Sequence, residues 1–449
     1  MNSQTQEPVT IGLSQFIRRI RKDDIPLSAM DAAQNCTLDL IASALAGHSS
    51  PAARAARKFA AGFFPEGHCT VWFSGSRLSP SAASMVNAVA ASALDLDDGN
   101  RLAGGHPGAA VIPAALAWSE FLQKAGDDFL TAVIIGYEAA VRIAAARDLS
   151  SLDTFSTGRW CGFGAAAAAG WLKNLPEEIM AHALAISGIH APIQSASAYS
   201  RLGHNTKEGI PWGTLTGLSA VELAENGFTG PLDLLDHPDY YNPEEILKDL
   251  GDSWAIERTY FKRYSCCRWA HAAIDALVEI MGTEALCAEE IQAVEVHTFR
   301  RAIGLKNQAD PATLEAAQFS VPFCMAVAAF HGLEALLPMD PEYLRMEYLS
   351  RWAKQVHLVL DEEMEALFPE KAAARVVVKT HSAQFEYRVD HPKGDLLNPF
   401  TFQELQNKFR HVAKRRVPDA YDEKILSAIH SLKSISARSF AGCLGEIQV

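Results

Sequence analysis

Residues 93–117 read ALDLDDGNRLAGGHPGAAVIPAALA, where an apolar run ends in three aspartates and continues into a glycine-rich loop with one histidine. The aspartates are Asp95, Asp97 and Asp98, and the histidine is His106. The carboxyl end of a helix carries partial negative charge, which disfavours each nearby carboxylate by about 0.3–1 kcal/mol. Asp95 and Asp98 face the same side if the helix persists to that point. The stretch therefore needs a compensating cation, metal or proton, and it predicts an acid or base.

Two other interpretations of this acidic stretch stay open. The aspartates can be solvated in a loop and cap the next element, although His106 in GGHPG then has little to do. Aspartates two and three positions apart can also chelate Mg²⁺, but such sites need a second carboxylate motif on a facing helix. No such motif is convincing in this sequence, so we expect no metal.

Composition limits the class of protein and its partners. The 449 residues are 49% hydrophobic and 21% charged, which allows a large core and suggests two or three domains. The formal charge of -13 argues against nucleic acid, because phosphate binding needs clustered Lys and Arg. The first ten residues lack the segments of a signal peptide, and no apolar run approaches the roughly 20 residues that span a bilayer. Eight cysteines without disulfide-like spacing predict a cytoplasmic protein.

The texture of the sequence changes along the chain. In the first two thirds, apolar residues recur at three- and four-residue spacing, which is typical of helices, and FGAAAAAGWL indicates a buried one. Residues 291–299 predict one strand and residues 374–389 predict two. Helical patterns cover residues 318–332, 342–360 and 401–414.

These patterns predict a mainly α fold with a smaller α+β domain. We assign residues 1–275 to a large helical domain and residues 276–395 to the α+β domain. Residues 396–449 return to the helical domain, which is therefore discontinuous in sequence.

Two further stretches hold cations that suit an anionic ligand. In FSTGRWCGFG, Thr157, Gly158 and Arg159 open a helix whose first-turn N–H groups are free for an anion. Arg159 would suit a carboxylate there, and the alternative is an ordinary surface arginine. Lys207 lies in the polar, glycine-containing loop GHNTKEGIPWG.

The stretch YFKRYSCCRWAHAAIDA, residues 260–276, combines cations with a thiol and an imidazole. Its candidates are Lys262, Cys267, Arg268 and His271. Adjacent cysteines chelate poorly and no spaced second pair appears, so a zinc site is disfavoured. Cys267 and His271 are four positions apart and can face one cleft. The set favours a pocket for an oxyacid with an acid/base group.

In their order and spacing, these stretches resemble the MmgE/PrpD family, which contains 2-methylcitrate dehydratase, cis-aconitate decarboxylase and iminodisuccinate epimerase. The matching segments include ALDLDDG, GHPGAAVIPAALA, STG, NTK, FKRYSCCRWAHAAIDA and NPFTFQELQNKF. The resemblance covers nearly the whole chain. It implies a helical domain with a smaller α+β domain, usually in a homodimer. It also implies a site between the domains that uses neither a metal nor an organic cofactor.

Carried over by motif, the resemblance implies functional roles for Asp95, His106, Lys207 and Lys262, with Cys267 where members often have His or Cys. Other positions depart from the family pattern. Gly99 stands where threonine is frequent, Phe155 and Ile210 stand where histidines are usual, Arg159 replaces a small hydroxyl residue and Ser265 replaces a proline. These changes suggest a substrate or reaction different from those of the best-known members.

The first functional hypothesis is a cofactor-independent, dehydratase-like lyase that acts on a small hydroxy di- or tricarboxylic acid. It would transfer a proton at the carbon next to a carboxylate, while cations stabilise the developing charge. His106 would be the main acid/base group, Asp95 would orient it or share its proton, and Cys267 could protonate the other face.

The remaining candidates would bind the substrate. Lys207, Lys262 and Arg159 would bind its carboxylates, and the further substrate-binding candidates are Asp98, Arg268 and His271. An epimerase or isomerase, a decarboxylase of a similar acid, and a non-catalytic relative that binds a metabolite remain alternatives.

Overall fold

The computed structural model describes residues 7–149, 152–153, 155–193, 202–414, 416–418 and 420–447. Residues 1–6 of the segment inspected for a signal peptide lie outside this part. The first helices are α1 (Val9–Arg19), α2 (Leu27–Gly47), α3 (Pro51–Phe63), α4 (Pro80–Ser92), α5 (Gly108–Phe121), α6 (Gly126–Ala145), α7 (Cys161–Leu172), α8 (Glu177–Ile189), α9 (Ile210–Glu225) and α10 (Pro243–Leu247). The later helices are α11 (Arg268–Thr283), α12 (Arg300–Gly304), α13 (Leu314–Gln318), α14 (Val321–His331), α15 (Glu347–Ala353), α16 (Glu362–Leu367), α17 (Phe402–Ala413), α18 (Tyr421–His430) and α19 (Ala437–Gly445).

A layered helical core forms around α7, the alanine-rich helix. It packs against α5, α6 and α9, and nearly all of its residues are buried. A Cβ placed on Gly164 of α7 would lie 2.6 Å from the carbonyl oxygen of Gly136 in α6. The small side chains therefore let the two backbones touch, as the sequence FGAAAAAG indicates.

The sheet of the second part has the strand order β6–β5–β7–β8. The short strands β1 (Cys69–Thr70), β2 (Arg77–Leu78), β3 (Gly99–Asn100) and β4 (Thr259–Tyr260) precede it, and its own strands are β5 (Ile291–Thr298), β6 (Val356–Leu360), β7 (Ala374–Thr380) and β8 (Gln384–Val389). β5 pairs in parallel with β6 and antiparallel with β7, which pairs antiparallel with β8. Helix α11 packs on this sheet and against α14.

The prediction of one helix over residues 342–360 was wrong in its last part. The segment contains α15 but ends in β6, whose residues pair with β5. A short apolar run such as VHLVL fits either a strand or a buried helical turn, so periodicity alone does not separate them.

Two hydrophobic cores account for the mainly α, two-domain architecture. The first combines the helices up to residue 256 with buried residues of α17, α18 and α19. The second contains α11, α14 and the sheet. The domain limits remain predictions, and the one after residue 275 falls inside α11, which belongs to the second core. In the described part of the chain, no helix is long and apolar enough to span a membrane.

Candidate active site

A pocket lies where the two cores meet. β3 pairs antiparallel with β4, and this pairing places Gly99 opposite Tyr260. The acidic stretch and the segment around Lys262 thereby form adjoining walls. The polar lining comprises Asp95, Asn100, Arg101, His106, Glu208, Tyr260, Lys262, Cys267 and Arg268. The second part of the chain adds Leu305, Phe319, Phe368 and Pro369 to the wall.

Asp95, Lys207 and Lys262 form a buried ion cluster, here called the lysine cluster. Asp95 Oδ1 lies 3.2 Å from Lys207 Nζ, and Asp95 Oδ2 lies 3.1 Å from Lys262 Nζ. Lys262 Nζ also donates to the backbone oxygen of Asp95 at 3.0 Å. Lys207 Nζ donates to Gln318 Oε1 at 3.0 Å and lies 4.3 Å from the centre of the Phe319 ring. Asp95 holds this position in the left-handed region, with a φ of 53°.

The charges of this cluster stabilise one another. Burial alone would raise the pKa of Asp95, but Lys207 and Lys262 outweigh it and hold that pKa well below its usual range. Burial alone would lower the pKa of Lys262, but Asp95 and Asp97 raise it above its usual value. The two lysines therefore share the ionised carboxylate of Asp95, and Asp97 is a second carboxylate that acts on Lys262.

His106 has one ring nitrogen held by the backbone. Its Nδ1 lies 2.6 Å from the backbone oxygen of Asp98. Because a carbonyl only accepts, Nδ1 carries a hydrogen and Nε2 is left to exchange a proton. Asp97 Oδ2 lies 3.8 Å from Nδ1. We expected Asp95 to orient His106, but Asp95 contacts the two lysines and the Asp98 carbonyl orients the ring.

The side chain of Asp98 supports the loop and does not line the pocket. Oδ1 accepts from Gly108 N at 3.1 Å, and Oδ2 accepts from the Tyr137 hydroxyl at 2.6 Å. Burial raises the pKa of Asp98 to about 7, with the Tyr137 hydrogen bond opposing the shift and Asp97 adding to it. We expected Asp98 to bind substrate, whereas these contacts tie the His106 loop to α5 and α6.

Arg101, Arg268 and Asp395 form a second ion cluster, here called the arginine cluster. Arg268 Nη2 lies 3.1 Å from Asp395 Oδ2, and Arg101 Nη2 donates to the same oxygen. Arg268 Nη2 also donates to the Pro392 carbonyl at 3.0 Å. The Tyr260 ring lies 5.5 Å from the guanidinium of Arg101 and 4.9 Å from that of Arg268. Arg101, Tyr260 and Asp395 were not predicted from the sequence, although Arg101 lies in the same loop as His106.

Cys267 and His271 have different surroundings. Cys267 caps the start of α11 and lines the pocket, and burial followed by Asp95 raises the pKa of its thiol above the usual value. His271 is fully buried, with Nδ1 3.3 Å from Arg268 Nη1 and Nε2 3.3 Å from the Cys266 carbonyl. Burial, followed by Arg268, lowers the pKa of His271 well below its usual value. We expected His271 to bind substrate, but it supports Arg268 from behind the pocket wall.

The N–H groups expected to bind an anion before α7 already have a partner. Gly158 N donates to the Glu208 backbone oxygen at 2.9 Å, and Thr157 Oγ1 donates to Glu208 Oε2 at 2.9 Å. Residues 157–159 form a 3₁₀ turn, and α7 begins at Cys161. An internal carboxylate therefore occupies the position that we assigned to a ligand.

Arg159 lies beside this turn, and it does not line the described pocket. Its Nη1 lies 2.9 Å from Asp153 Oδ1, and its Nη2 donates to the Ile193 carbonyl at 2.5 Å. The Asp153 side chain is 63% exposed, so the pair is largely a surface contact. No contact of Arg159 with the described pocket supports its predicted role in substrate binding, which stays a prediction.

The residues that depart from the family pattern lie at different positions relative to the pocket. Phe155 lines the pocket next to Trp269 and Phe368, with ring centres 6.1 Å and 6.3 Å away. Ile210 is buried at the start of α9. A Cβ on Gly99 would lie 2.3 Å from the Tyr260 hydroxyl oxygen, so the phenol occupies the space of a side chain at position 99.

Lys408 of α17 joins the floor of the pocket to the last helices. Its Nζ donates to Asp39 Oδ1 at 2.6 Å, to the Lys262 backbone oxygen at 2.8 Å and to the Leu96 backbone oxygen at 3.2 Å. Both backbone oxygens belong to segments that hold the lysine cluster. The segment NPFTFQELQNKF carries part of the family resemblance, but no role was predicted for its lysine. Among the residues that the structure describes, no group of three or more His, Cys, Asp or Glu side chains could hold a metal ion.

Comparison with known proteins identifies the family. The MmgE/PrpD N-terminal domain matches residues 12–241, and the MmgE/PrpD C-terminal domain matches residues 264–434. A cis-aconitate decarboxylase-like protein of Aspergillus oryzae is 25% identical over 465 residues, which covers 95% of each chain. The cis-aconitate decarboxylase of Aspergillus terreus is 29% identical over 304 residues, or 63% of this chain and 62% of that protein. The cis-aconitate decarboxylase of Mus musculus is 24% identical over 395 residues, or 82% and 78%. Because the two domain matches extend over most of its length, the chain belongs to the MmgE/PrpD family.

Proposed function

We propose that this protein is a lyase that transfers a proton at the carbon next to a carboxylate of a small di- or tricarboxylic acid. The observation that carries the proposal is one pocket lined by His106, held at Nδ1, and by Asp95 and Lys262 of the lysine cluster. The imidazole supplies a base, and the lysines stabilise the negative charge that develops on the carboxylate. Membership of the family supports this assignment.

The first candidate reaction is the elimination of water from a hydroxy acid. His106 Nε2 takes the proton from carbon, and the resulting electron pair forms the double bond as the hydroxyl group leaves. The protonated His106 returns its proton to that hydroxyl, so water leaves and the enzyme regains its starting state. The reaction needs no net proton.

Decarboxylation of a similar acid is the second candidate, and the names of the relatives favour it. Here the carboxylate leaves as CO₂, and its electron pair ends in a bond between carbon and a proton. Cys267 can supply that proton, because the raised pKa keeps its thiol protonated at neutral pH. Proton uptake from solvent then restores the thiol.

Incubation of the purified protein with citrate, malate and cis-aconitate in D₂O tests both reactions. We expect either an unsaturated acid or CO₂ together with a deuterated product, detected by NMR and gas analysis. His106→Gln should lower turnover by about 10²–10⁴-fold and retain acid binding. Arg410→Met, which changes an α17 arginine paired with Glu423 of α18, is the matched control and should keep full activity.

Two results would contradict the proposed lyase. Deuterium exchange without net conversion would indicate an epimerase. Acid binding with neither exchange nor product would indicate a non-catalytic relative.

We also propose that the protein is a homodimer. Phe59 and Phe63 of α3 and Trp212 of α9 form an exposed aromatic cluster, with ring centres 5.0 Å and 6.2 Å from Phe59. Phe63 is 70% exposed and Trp212 is 54% exposed. Exposed apolar patches commonly mark protein interfaces. Sedimentation should give a dimer, and Trp212→Lys should shift it towards monomer; a wild-type monomer would contradict the proposal. The cytoplasmic location remains a prediction from cysteine usage.

A further inference from the structure

We infer that the arginine cluster is a second carboxylate subsite, which makes the pocket select acids with at least two carboxylates. The inference rests on the proposed function for the reacting end of the substrate. It assigns a specificity role to Arg101, with Arg268 and Tyr260 as its supports.

The charge balance of the cluster leaves room for an anion. Burial alone would raise the pKa of Asp395, but Arg101 and Arg268 outweigh it and hold that pKa below its usual value. Asp395 is therefore ionised, and it neutralises only one of the two guanidinium groups. Two other carboxylates line the pocket: Asp95, which is paired with the two lysines, and Glu208, which accepts a hydrogen bond from the Thr157 hydroxyl.

The guanidinium groups also retain unused donors. The Arg268 side chain is 4% exposed, and within the described ranges its Nε has no hydrogen-bond partner. Arg101 Nε is likewise buried without a partner there, and this side chain is 15% exposed. Both residues line the pocket, so a carboxylate placed against them would find donors of the kind that bind it best.

Tyr260 gives the subsite a fixed position relative to the lysine cluster. Its ring packs against both guanidinium groups, and the pairing of β3 with β4 holds its backbone. Lys262 follows it by two positions and belongs to the other cluster. Gly99 gives the phenol its space. One aromatic side chain therefore contacts both guanidinium groups, two positions before the lysine of the other cluster.

The wall near the two clusters is apolar. Phe155, Leu305, Phe319 and Phe368 line the pocket together with the charged groups. An apolar wall suits a short carbon chain, while the two clusters suit its two charged ends. This pattern describes a small dicarboxylic acid, or a tricarboxylic acid with two of its groups engaged.

Binding of unreactive acids tests the subsite without relying on turnover. Glutarate has two carboxylates, and butyrate has the same number of apolar carbons but only one carboxylate. In calorimetry and NMR titration, we expect the wild-type protein to bind glutarate at least tenfold more tightly. Arg101→Met should weaken glutarate binding by about 10–100-fold and leave butyrate binding unchanged. Arg101→Lys should give an intermediate loss, and Arg410→Met should change neither acid.

The controls separate this inference from the proposed function. Circular dichroism and thermal melting of Arg101→Met establish that the variant is folded. Equal affinity of the wild-type protein for both acids, or equal losses for both in Arg101→Met, would overturn the subsite. If the protein shows turnover but does not discriminate between glutarate and butyrate, only the subsite is contradicted. If the protein discriminates between glutarate and butyrate but shows no turnover, the proposed lyase activity is contradicted and the protein binds dicarboxylates without converting them.

Discussion

The two ion clusters of the pocket have the same charge count but a different construction. Each has two cations on one carboxylate, yet Lys262 is fully buried whereas the Arg101 side chain is 15% exposed. An ammonium group is a compact point charge, whereas a guanidinium offers donors in a fixed plane. The lysine cluster therefore suits charge stabilisation beside His106, and the arginine cluster suits orientation of a planar carboxylate.

The largest difference should appear when each cluster loses its carboxylate. Asp95→Asn removes the carboxylate that contacts both buried lysines, so we expect a loss of about 3–5 kcal/mol in the free energy of unfolding. Asp395→Asn should cost less, because Arg101 is partly exposed and Arg268 keeps its backbone acceptors. Urea denaturation measures both values. A larger loss for Asp395→Asn would reverse the ranking of the clusters.

The stabilities that Asp98 and Asp395 contribute should depend on pH with opposite sign. Asp98 supports the His106 loop, and Asp395 belongs to the arginine cluster. The raised pKa of Asp98 makes its contribution complete below about pH 4, and it is lost as pH rises through about 7. The lowered pKa of Asp395 makes its contribution present above about pH 4, and it is lost as pH falls further. Between pH 4 and 8, the wild-type protein should lose on the order of 2–4 kcal/mol relative to Asp98→Asn. Parallel stability curves over that range for these two proteins would contradict the assignment.

A smaller effect should follow from displacing Tyr260, whose ring packs against the arginine cluster. In Gly99→Ala, the new methyl group would lie 2.3 Å from the Tyr260 hydroxyl, so the ring must move. Overpacking of this kind costs about 1–3 kcal/mol, and glutarate binding should weaken as well. Gly62→Ala on α3 is the matched control, because a Cβ there meets nothing within 4 Å. Equal melting temperatures for the two variants would show that Tyr260 is not fixed.

The smallest effect is expected for Arg159. In its ion pair with Asp153, the Arg159 side chain is 23% exposed and the Asp153 side chain is 63% exposed, and ion pairs at the surface contribute about 0–1 kcal/mol. Arg159→Ala should therefore change stability and glutarate affinity far less than Arg101→Met. A loss of tenfold or more in affinity would return Arg159 to the binding role predicted from its position before α7.

The helices, and the candidate residues within short motifs, could be predicted from the sequence. Helical periodicity is strong where one element is long and amphipathic or alanine-rich, as in α7. The aspartates and His106 lie within twelve positions of one another, so the loop itself suggests that they act together. The strand β6 was not predicted, because its five mostly apolar residues fit a buried helical turn as well as a strand.

Contacts between distant segments could not be predicted. Asp395 is 294 positions from Arg101 and 127 from Arg268, and no local pattern connects them. Glu208 fills the turn at Thr157 from 51 positions away, which removed the expected anion site. Asp98 lies next to Asp97 in sequence, but burial against Tyr137 gives it a supporting role. These outcomes depend on tertiary packing, which determines the partner of each charge.

The hydrogen bonds of Lys408 have a consequence for synthesis of the chain. Lys408 holds the backbone at Leu96, which is 312 positions earlier. At about 5–20 residues per second, the ribosome adds those residues over roughly 15–60 s. Throughout that interval the nascent chain lacks α17, so the apolar surface of α2 that α17 covers stays exposed. The pocket floor can therefore close only after the sheet has been made.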